Sequence, residues 1–150
     1  MFYIKMQVGL SVIIYNIRKV MSKICTDLGQ SRKLVKMKLD KNTADMHYFS
    51  DGYNPTKLDV GYSAENAKFY RGTECEYTPA WSLTALLDLM PQRIYTKTGK
   101  QEFGIDKGEI DVWYQIFYEN KNSYIQQKSE DAVDAAFDMI VWLLENKHIK

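Results

Sequence analysis

Four segments rich in β-branched and aromatic residues follow one another closely between residues 92 and 128. They are QRIYTK (92–97), QEFGI (101–105), EIDVWYQIFYE (109–119) and SYIQQK (123–128). The residues between them include Thr-Gly, Asp-Lys-Gly and Asn-Lys-Asn, which are typical of tight turns. Because short turns join strands that are antiparallel neighbours, the sequence predicts an antiparallel β-meander of three to four strands over about residues 92–128.

The segment TPAWSLTALLDLMP (78–91), which precedes this region, has the pattern of an amphipathic helix. Thr78 can cap a helix that begins at Pro79, where a missing N–H costs nothing. Apolar residues then recur at helical spacing at Leu83, Leu86, Leu87 and Met90. We therefore predict a core-facing helix near residues 79–90.

A second helix follows the meander near residues 130–145. Ser129 can cap it, and Asn146 can end it in the left-handed conformation. Its apolar stripe consists of Val133, Ala136, Phe137, Ile140 and Leu144. Since the two helices flank the meander in the sequence, we expect both to pack on one face of the sheet.

An N-terminal helix is predicted from Asp27, because Gln30 three residues later completes the pattern of a capping box. KNT (41–43) ends this helix, and ADMHYF (44–49) predicts a short strand, whereas residues 50–77 carry the weakest signals. The predicted fold class is thus α+β: an antiparallel β-meander of three to four strands with two helices packed on one face, plus an N-terminal helix. We expect one domain over residues 21–150.

Residues 1–20 allow two interpretations. The apolar run from Met6 to Tyr15 is too short to span a bilayer, and no small-residue cleavage site follows it. The run can be a strand that places alternate residues on one face, namely Val8, Leu10, Val12 and Ile14. Alternatively, Met21 is the natural start and residues 1–20 are an N-terminal extension, which is the interpretation that we favour.

The charge distribution disfavours binding to duplex nucleic acid. The net charge is +1, from 20 basic and 19 acidic residues. Residues 1–38 hold eight of the basic residues and one of the acidic residues, so the rest of the chain is acidic. A protein that binds duplex nucleic acid usually carries a basic stripe across its folded body. We therefore expect no partner of this class, and no membrane partner.

No known catalytic or nucleotide-binding motif is present. Cys25 and Cys75 are the only cysteines, and we expect reduced thiols, with a Cys25–Cys75 disulfide as the alternative. Cys25 and His47 could form a nucleophile–base pair, but the sequence indicates no third group to orient them. The ridge of Asp131, Asp134 and Asp138 on the last helix is interpreted as solvated, and a divalent cation site is the alternative. We therefore expect no catalytic residues, no cofactor and no metal.

Three segments resemble short uncharacterised proteins encoded by phages and prophages of gut bacteria: QSRKLVKMKLDKNTADM (30–46), PAWSLTALLDLMP (79–91) and DAAFDMIVWLLENKHI (134–149). The resemblance implies a non-catalytic accessory protein in the host cytoplasm. Such a protein would bind a host protein or sequester a host signalling molecule of nucleotide type, for instance to counter host defence. The alternatives are a small homo-oligomeric structural or assembly factor, and an enzyme with a dispersed site.

From Thr78 onward, the predicted order of elements resembles the α-β-β-β-α order of the double-stranded-RNA-binding fold. That family places a basic cluster at the start of its last helix, where it contacts phosphates. This chain instead has Glu130, Asp131 and Asp134 there. Because carboxylates repel phosphates, the resemblance implies the topology without the RNA-binding activity.

One face of the predicted sheet is a candidate binding surface. Alternation along EIDVWYQIFYE (109–119) sends Trp113 and Phe117 to the face opposite the helices. Arg93 and Tyr95 of the first strand can join them. Exposed large aromatic residues usually mark an interaction surface, so these four are the candidate binding residues. The alternative is that residues 24–77 fold across this face and bury the two rings.

Overall fold

A computed structural model of the chain describes residues 23–50, 57–60, 76–108 and 114–150. These residues form three helices and seven strands: α1 (Leu28–Lys36), β1 (Met46–Ser50), β2 (Lys57–Val60), β3 (Glu76–Ala80), α2 (Leu83–Asp88), β4 (Arg93–Thr96), β5 (Gly99–Lys107), β6 (Tyr114–Asn120), β7 (Ser123–Ser129) and α3 (Ala132–Glu145). The fold is of the α+β class, as predicted. Residues 1–22, with the two interpretations of residues 1–20, lie outside the described residues.

The predicted meander is confirmed. Strands β4, β5, β6 and β7 form a four-stranded sheet in sequence order, and each neighbouring pair is antiparallel. Two-residue turns join β4 to β5 and β6 to β7, closed by the pairs Thr96–Gly99 and Asn120–Ser123. Gly99 has a φ of 107°, which L side chains rarely adopt, so the glycine is required at this turn.

The helices α2 and α3 cover one face of this sheet, as predicted. Ile116 and Tyr118 of β6 are completely buried, and they share one apolar core with residues of all three helices, among them Leu34, Leu86, Phe137, Ile140 and Leu143. The Tyr118 hydroxyl donates to the carbonyl oxygen of Pro91 at 2.7 Å. The core therefore buries this phenol without leaving its polar atom unpaired.

The predicted start of the helix at 79–90 is wrong. Residues 76–80 form β3 and pair with β1, so that Pro79 lies opposite His47. Proline is tolerated there because β3 is an edge strand of its sheet. The backbone stays extended through Trp81, whose carbonyl oxygen accepts from the Thr26 N–H at 2.9 Å. The helix begins only at Leu83, after Ser82 caps it by accepting from the N–H of Ala85.

A second sheet has the strand order β2-β1-β3, with both pairs antiparallel. Its central strand β1 confirms the strand predicted within residues 44–49. Neither outer strand was predicted: β2 lies within the region of weak sequence signals, and β3 overlaps the start of the predicted helix. Helix α1 connects the two sheets. It contacts β3 of this sheet, and its residues Leu34 and Val35 pack into the core beneath the meander.

The predicted capping box of α1 is confirmed. The Asp27 carboxylate accepts from the Gln30 N–H at 2.8 Å, and the Gln30 side chain accepts from the Asp27 N–H at 3.0 Å. The helix then ends at a left-handed residue, Lys38, with a φ of 67°. The N–H groups of Lys38 and Leu39 donate back to the carbonyls of Val35 and Leu34, which is a Schellman ending.

Both predicted caps of the last helix are wrong. Ser129 is the last residue of β7 and pairs with Tyr114, so the helix is capped by Asp131 instead. At the other end, Asn146 has a φ of −92°, and the left-handed residue is Lys147, with a φ of 60°. The N–H groups of Lys147 and His148 donate to the carbonyls of Leu144 and Leu143, which is a Schellman ending. The left-handed residue therefore lies one position later than predicted.

Candidate functional site

The face of the meander that points away from α2 and α3 is called the outer face here. Residues that are directly opposite in an antiparallel pair lie on the same face, and the register therefore defines its members. They are Arg93, Tyr95, Lys100, Glu102, Gly104, Asp106, Gln115, Phe117, Glu119, Tyr124, Gln126 and Lys128. This face carries three of the four residues predicted from the sequence, and Trp113 lies outside the described residues.

Tyr95 and Arg93 lie on the edge strand β4. Tyr95 is 72% exposed. The Arg93 guanidinium nitrogen Nε lies 3.1 Å from both carboxylate oxygens of Glu102, and Lys100 Nζ lies 2.7 Å from one of them. Lys100 and Arg93 hold the pKa of Glu102 below its usual value. All three side chains are exposed, so the cluster neutralises charge but contributes little to stability.

Phe117 lies flat on the sheet over Gly104, its neighbour on β5. A Cβ atom built on Gly104 would be 2.3 Å from the Phe117 ring. No side chain larger than hydrogen therefore fits beneath the ring. The ring of Tyr124 on β7 packs beside it, with 5.3 Å between centroids and 38° between planes. Glycine thus sets the position of Phe117, and Phe117 supports Tyr124.

Tyr124 was not among the residues predicted from the sequence, although a signal for it exists. A two-residue turn at Lys121 and Asn122 places Ser123 opposite Asn120, and hence Tyr124 opposite Glu119 on the outer face. Tyr124 is 48% exposed. Desolvation raises the pKa of its hydroxyl, and the negative charges of Glu119 and Asp106 raise it further. The surroundings of Tyr124 are therefore acidic.

The described part of residues 24–77 does not cover this face. Residues 23–50 instead pack on α3 and the core: Leu34 and Leu39 join the apolar cluster. Lys33 Nζ lies 5.6 Å from the centre of the Phe137 ring. This placement leaves Tyr95 and Tyr124 among the exposed large side chains. The alternative, that residues 24–77 bury the rings of Trp113 and Phe117, stays a prediction, because Trp113 and most of residues 51–77 lie outside the described residues.

Cys25 and His47 do not form a nucleophile–base pair. Cys25 packs with Met46 and Tyr48 of β1, and neighbouring residues of a strand point to opposite faces. His47 therefore lies on the other face of β1, where its ring contacts Tyr77 edge-on at 5.6 Å. Cys25 is a buried free thiol, and burial raises its pKa. A buried thiol with a raised pKa is a poor nucleophile.

The prediction that the acidic ridge of α3 is merely solvated is wrong for two of its three residues. Asp131 caps the helix and also accepts from the Lys23 N–H at 2.7 Å. Asp134 accepts from Lys23 Nζ at 2.6 Å and from Gln30 Nε2 at 2.7 Å. Asp138 is exposed, as expected. Within the described residues, no three histidine, cysteine or acidic side chains are grouped to hold a metal ion.

Comparisons with protein-family models, with curated proteins and with solved structures found no match to this chain. None of the helices in the described ranges has the length and apolar character needed to cross a membrane. The fold and the outer face therefore define the candidate site by themselves. The site is the face of the four-stranded antiparallel meander that the described residues leave open, with aromatic residues on three of its strands.

Proposed function

We propose that this protein is a non-catalytic phage accessory protein that acts in the host cytoplasm by binding a host protein through the outer face. The observation that carries the proposal is the placement of Tyr95, Phe117 and Tyr124 on one open sheet face, with Tyr95 72% and Tyr124 48% exposed. Large aromatic side chains dominate the energy of protein interfaces. Interference with host defence is the role that fits the resemblance to phage proteins.

A protein partner fits this face better than an anionic nucleotide does. Glu119 and Asp106 lie close enough to Tyr124 to raise its pKa, and they would repel phosphate groups. Arg93 and Lys100 do not offset this charge at Tyr124, because both are bound to Glu102, and Lys128 already takes part in another interaction within the chain. A protein segment can instead contribute apolar and basic side chains.

Affinity capture from host lysate with the purified full chain tests the proposal. The double variant Tyr95→Ser, Tyr124→Ser should lose a host protein that the wild type captures. Its free energy of unfolding should change by no more than about 1 kcal/mol, as expected of surface substitutions. Ile105→Ser is the matched control. Ile105 is also 48% exposed, but its register partner Ile116 places it on the opposite face.

Two results would contradict the proposal. Capture that survives the double variant would show that the outer face is not the contact surface. Sedimentation that shows self-association, lost in the double variant and retained in Ile105→Ser, would favour the homo-oligomeric alternative. Mass spectrometry of the purified protein for a retained nucleotide tests the signalling-molecule alternative.

A further inference from the structure

Strand β7 is the last strand of the meander within the described residues. Asn120 and Ser123 close a two-residue turn at the start of β7, and residues in this position exchange backbone hydrogen bonds. Because bonded and non-bonded pairs alternate along an antiparallel ladder, Tyr124 and Gln126 direct their N–H and C=O groups away from β6. An added strand can pair with these groups.

The other edge of the meander is a poorer template for an added strand. Strand β4 has four residues, whereas β7 has seven. Strand β7, SYIQQKS, contains no proline, and its one edge-protecting lysine, Lys128, lies four residues from Tyr124. We therefore expect strand addition at β7 rather than at β4.

The side chains beside the β7 edge favour a cation. Tyr124 lies on the edge strand directly opposite Glu119, with its ring packed beside Phe117 and its hydroxyl accepting from the Gln115 amide. Within the described residues, Glu119 makes no ion pair. The carboxylate of Glu119 and the ring of Tyr124 can together hold a lysine or arginine side chain, through charge attraction and a cation–π contact. On the opposite face, Ile125 is half-buried and can pack with apolar side chains.

We infer that the β7 edge binds an extended segment of the partner protein in which a lysine or arginine stands between two apolar residues. The segment adds to the meander as a fifth, antiparallel strand, with its basic residue opposite Tyr124 and its long side chain reaching across Tyr124 toward Glu119 on β6. This inference rests on the proposed function, because it names the part of a protein partner that the outer face would recognise. Phe117 supports the arrangement, since its ring holds Tyr124 in place.

A second copy of this chain fits the edge less well. Its β7 could offer one cation, Lys128, to the site at Tyr124. Lys128 already takes part in an interaction within its own chain, and self-pairing would have to replace that interaction. The basic residue of a separate extended segment carries no such cost.

Probe peptides test this inference directly. The peptide VTVKVTV, acetylated and amidated, places lysine and threonine on one face and valine on the other, and VTVEVTV is its acidic counterpart. Binding is measured by fluorescence anisotropy of labelled peptides, and the site is located from amide chemical shifts. We expect the lysine peptide to bind about twofold to fivefold more tightly, as estimated from the energies of exposed ion pairs. The largest shifts should occur at Tyr124 and Gln126.

Two variants separate the backbone contribution from the charge contribution. Gln126→Pro removes an N–H that points away from β6, so the meander can keep its own bonds while peptide binding is lost. Gln126→Thr keeps this N–H and should bind normally. Glu119→Gln should bring the affinities of the two peptides closer together, because it removes the carboxylate beside Tyr124 without changing the strand.

A chemical control covers the case in which Gln126→Pro fails to fold. In the wild-type protein, methylation of the lysine backbone nitrogen of VTVKVTV should abolish binding, because that N–H pairs with Tyr124. Methylation of the next valine nitrogen, which points away from β7, should leave binding nearly unchanged. Equal affinity for the lysine and glutamate peptides, or shifts confined to β4, would overturn the inference. A dimer that Gln126→Pro dissociates would also overturn it, since a second copy would then occupy the edge.

Failure of this inference is distinguishable from failure of the proposed function. Capture of a host protein that requires Tyr95 and Tyr124 but survives Gln126→Pro would leave the proposed function standing and overturn strand addition. Capture that is insensitive to Tyr95 and Tyr124 would overturn the proposed function itself.

Discussion

Asp134→Ala is expected to destabilise the protein by about 1–2 kcal/mol, although a carboxylate on a helix surface can ordinarily be replaced at little cost. Asp134 Oδ1 accepts from Lys23 Nζ at 2.6 Å and from Gln30 Nε2 at 2.7 Å. Gln30 also completes the capping box of α1. One carboxylate therefore connects the beginning of α1 to the first turn of α3.

The magnitude follows from the partial exposure of this contact. The side chains of Lys23 and Asp134 are 35% and 29% exposed. Fully exposed ion pairs contribute about 0–1 kcal/mol, and hydrogen bonds to charged groups about 1.5–3 kcal/mol. Solvent screening at Lys23 places the expected value between these ranges. Burial lowers the pKa of Lys23, but Asp134 and Asp27 more than offset this effect, so that its pKa is raised overall.

Denaturant unfolding of the full chain, followed by tryptophan fluorescence, measures the effect. Asp138→Ala is the matched control, one turn farther along the same helix. Partial desolvation and the charge of Asp134 raise the pKa of Asp138, so folding slightly disfavours its ionised form and its removal should not destabilise the protein. A double-mutant cycle with Lys23→Met should give a coupling of about 0.5–1 kcal/mol that decreases with added salt. Equal destabilisation by Asp134→Ala and Asp138→Ala would refute the reasoning.

Four further outcomes are expected. Gly104→Ala should destabilise by about 1–3 kcal/mol in denaturant unfolding, because a Cβ would overlap the Phe117 ring; an unchanged midpoint would mean that the ring moves aside at no cost. Leu86→Ala should cost about 2–5 kcal/mol in the same assay, because Leu86 is 0% exposed in the core, and a surface-like effect would contradict this placement. Lys147→Gly should raise the free energy of unfolding by up to about 1 kcal/mol, and with it the melting temperature, because the φ of Lys147 is 60°. A lower melting temperature would mean that the lysine side chain itself stabilises the protein. Burial is the main cause that raises the pKa of Tyr48 from 10.0 to about 12. The contribution of Tyr48 to stability is therefore complete below pH 10 and is lost as the pH rises through 12. Phenolate absorbance should show that this tyrosine ionises late, and its ionisation near pH 10 in the folded protein would contradict the expectation.

Local chemistry in the sequence was sufficient for much of the fold. The capping box at Asp27 and Gln30 involves residues three positions apart, so its geometry does not depend on the rest of the protein. Much of the meander was predictable for the same reason, because a two-residue turn makes its two flanking strands antiparallel neighbours. Four of the five residues in the predicted apolar stripe of α3 are buried, since helical spacing determines which side chains share a face. Leu144 is only half-buried, and the stripe omitted the buried residues Ala135, Met139, Val141 and Leu143.

Part of the outer face also followed from alternation. Phe117, Tyr95 and Arg93 lie on it as the period of two predicted. Tyr124 was missed, although its position depends only on the turn at Asn120–Ser123. Its proximity to Phe117 and the acidic character of its surroundings could be read only from the paired strands.

Contacts between distant residues decided the remainder. Thr78 and Pro79 have the residue types of a helix start, but pairing with β1 keeps them extended, and the helix begins only at Leu83. Asp134 has the pattern of a solvated residue, but Lys23, 111 positions earlier in the chain, binds it. A pattern of residue types records the local preference of the backbone and the face of each side chain. It does not record which distant group completes a hydrogen bond or ion pair, and in this protein those partners determine where a helix begins and which carboxylates are solvated.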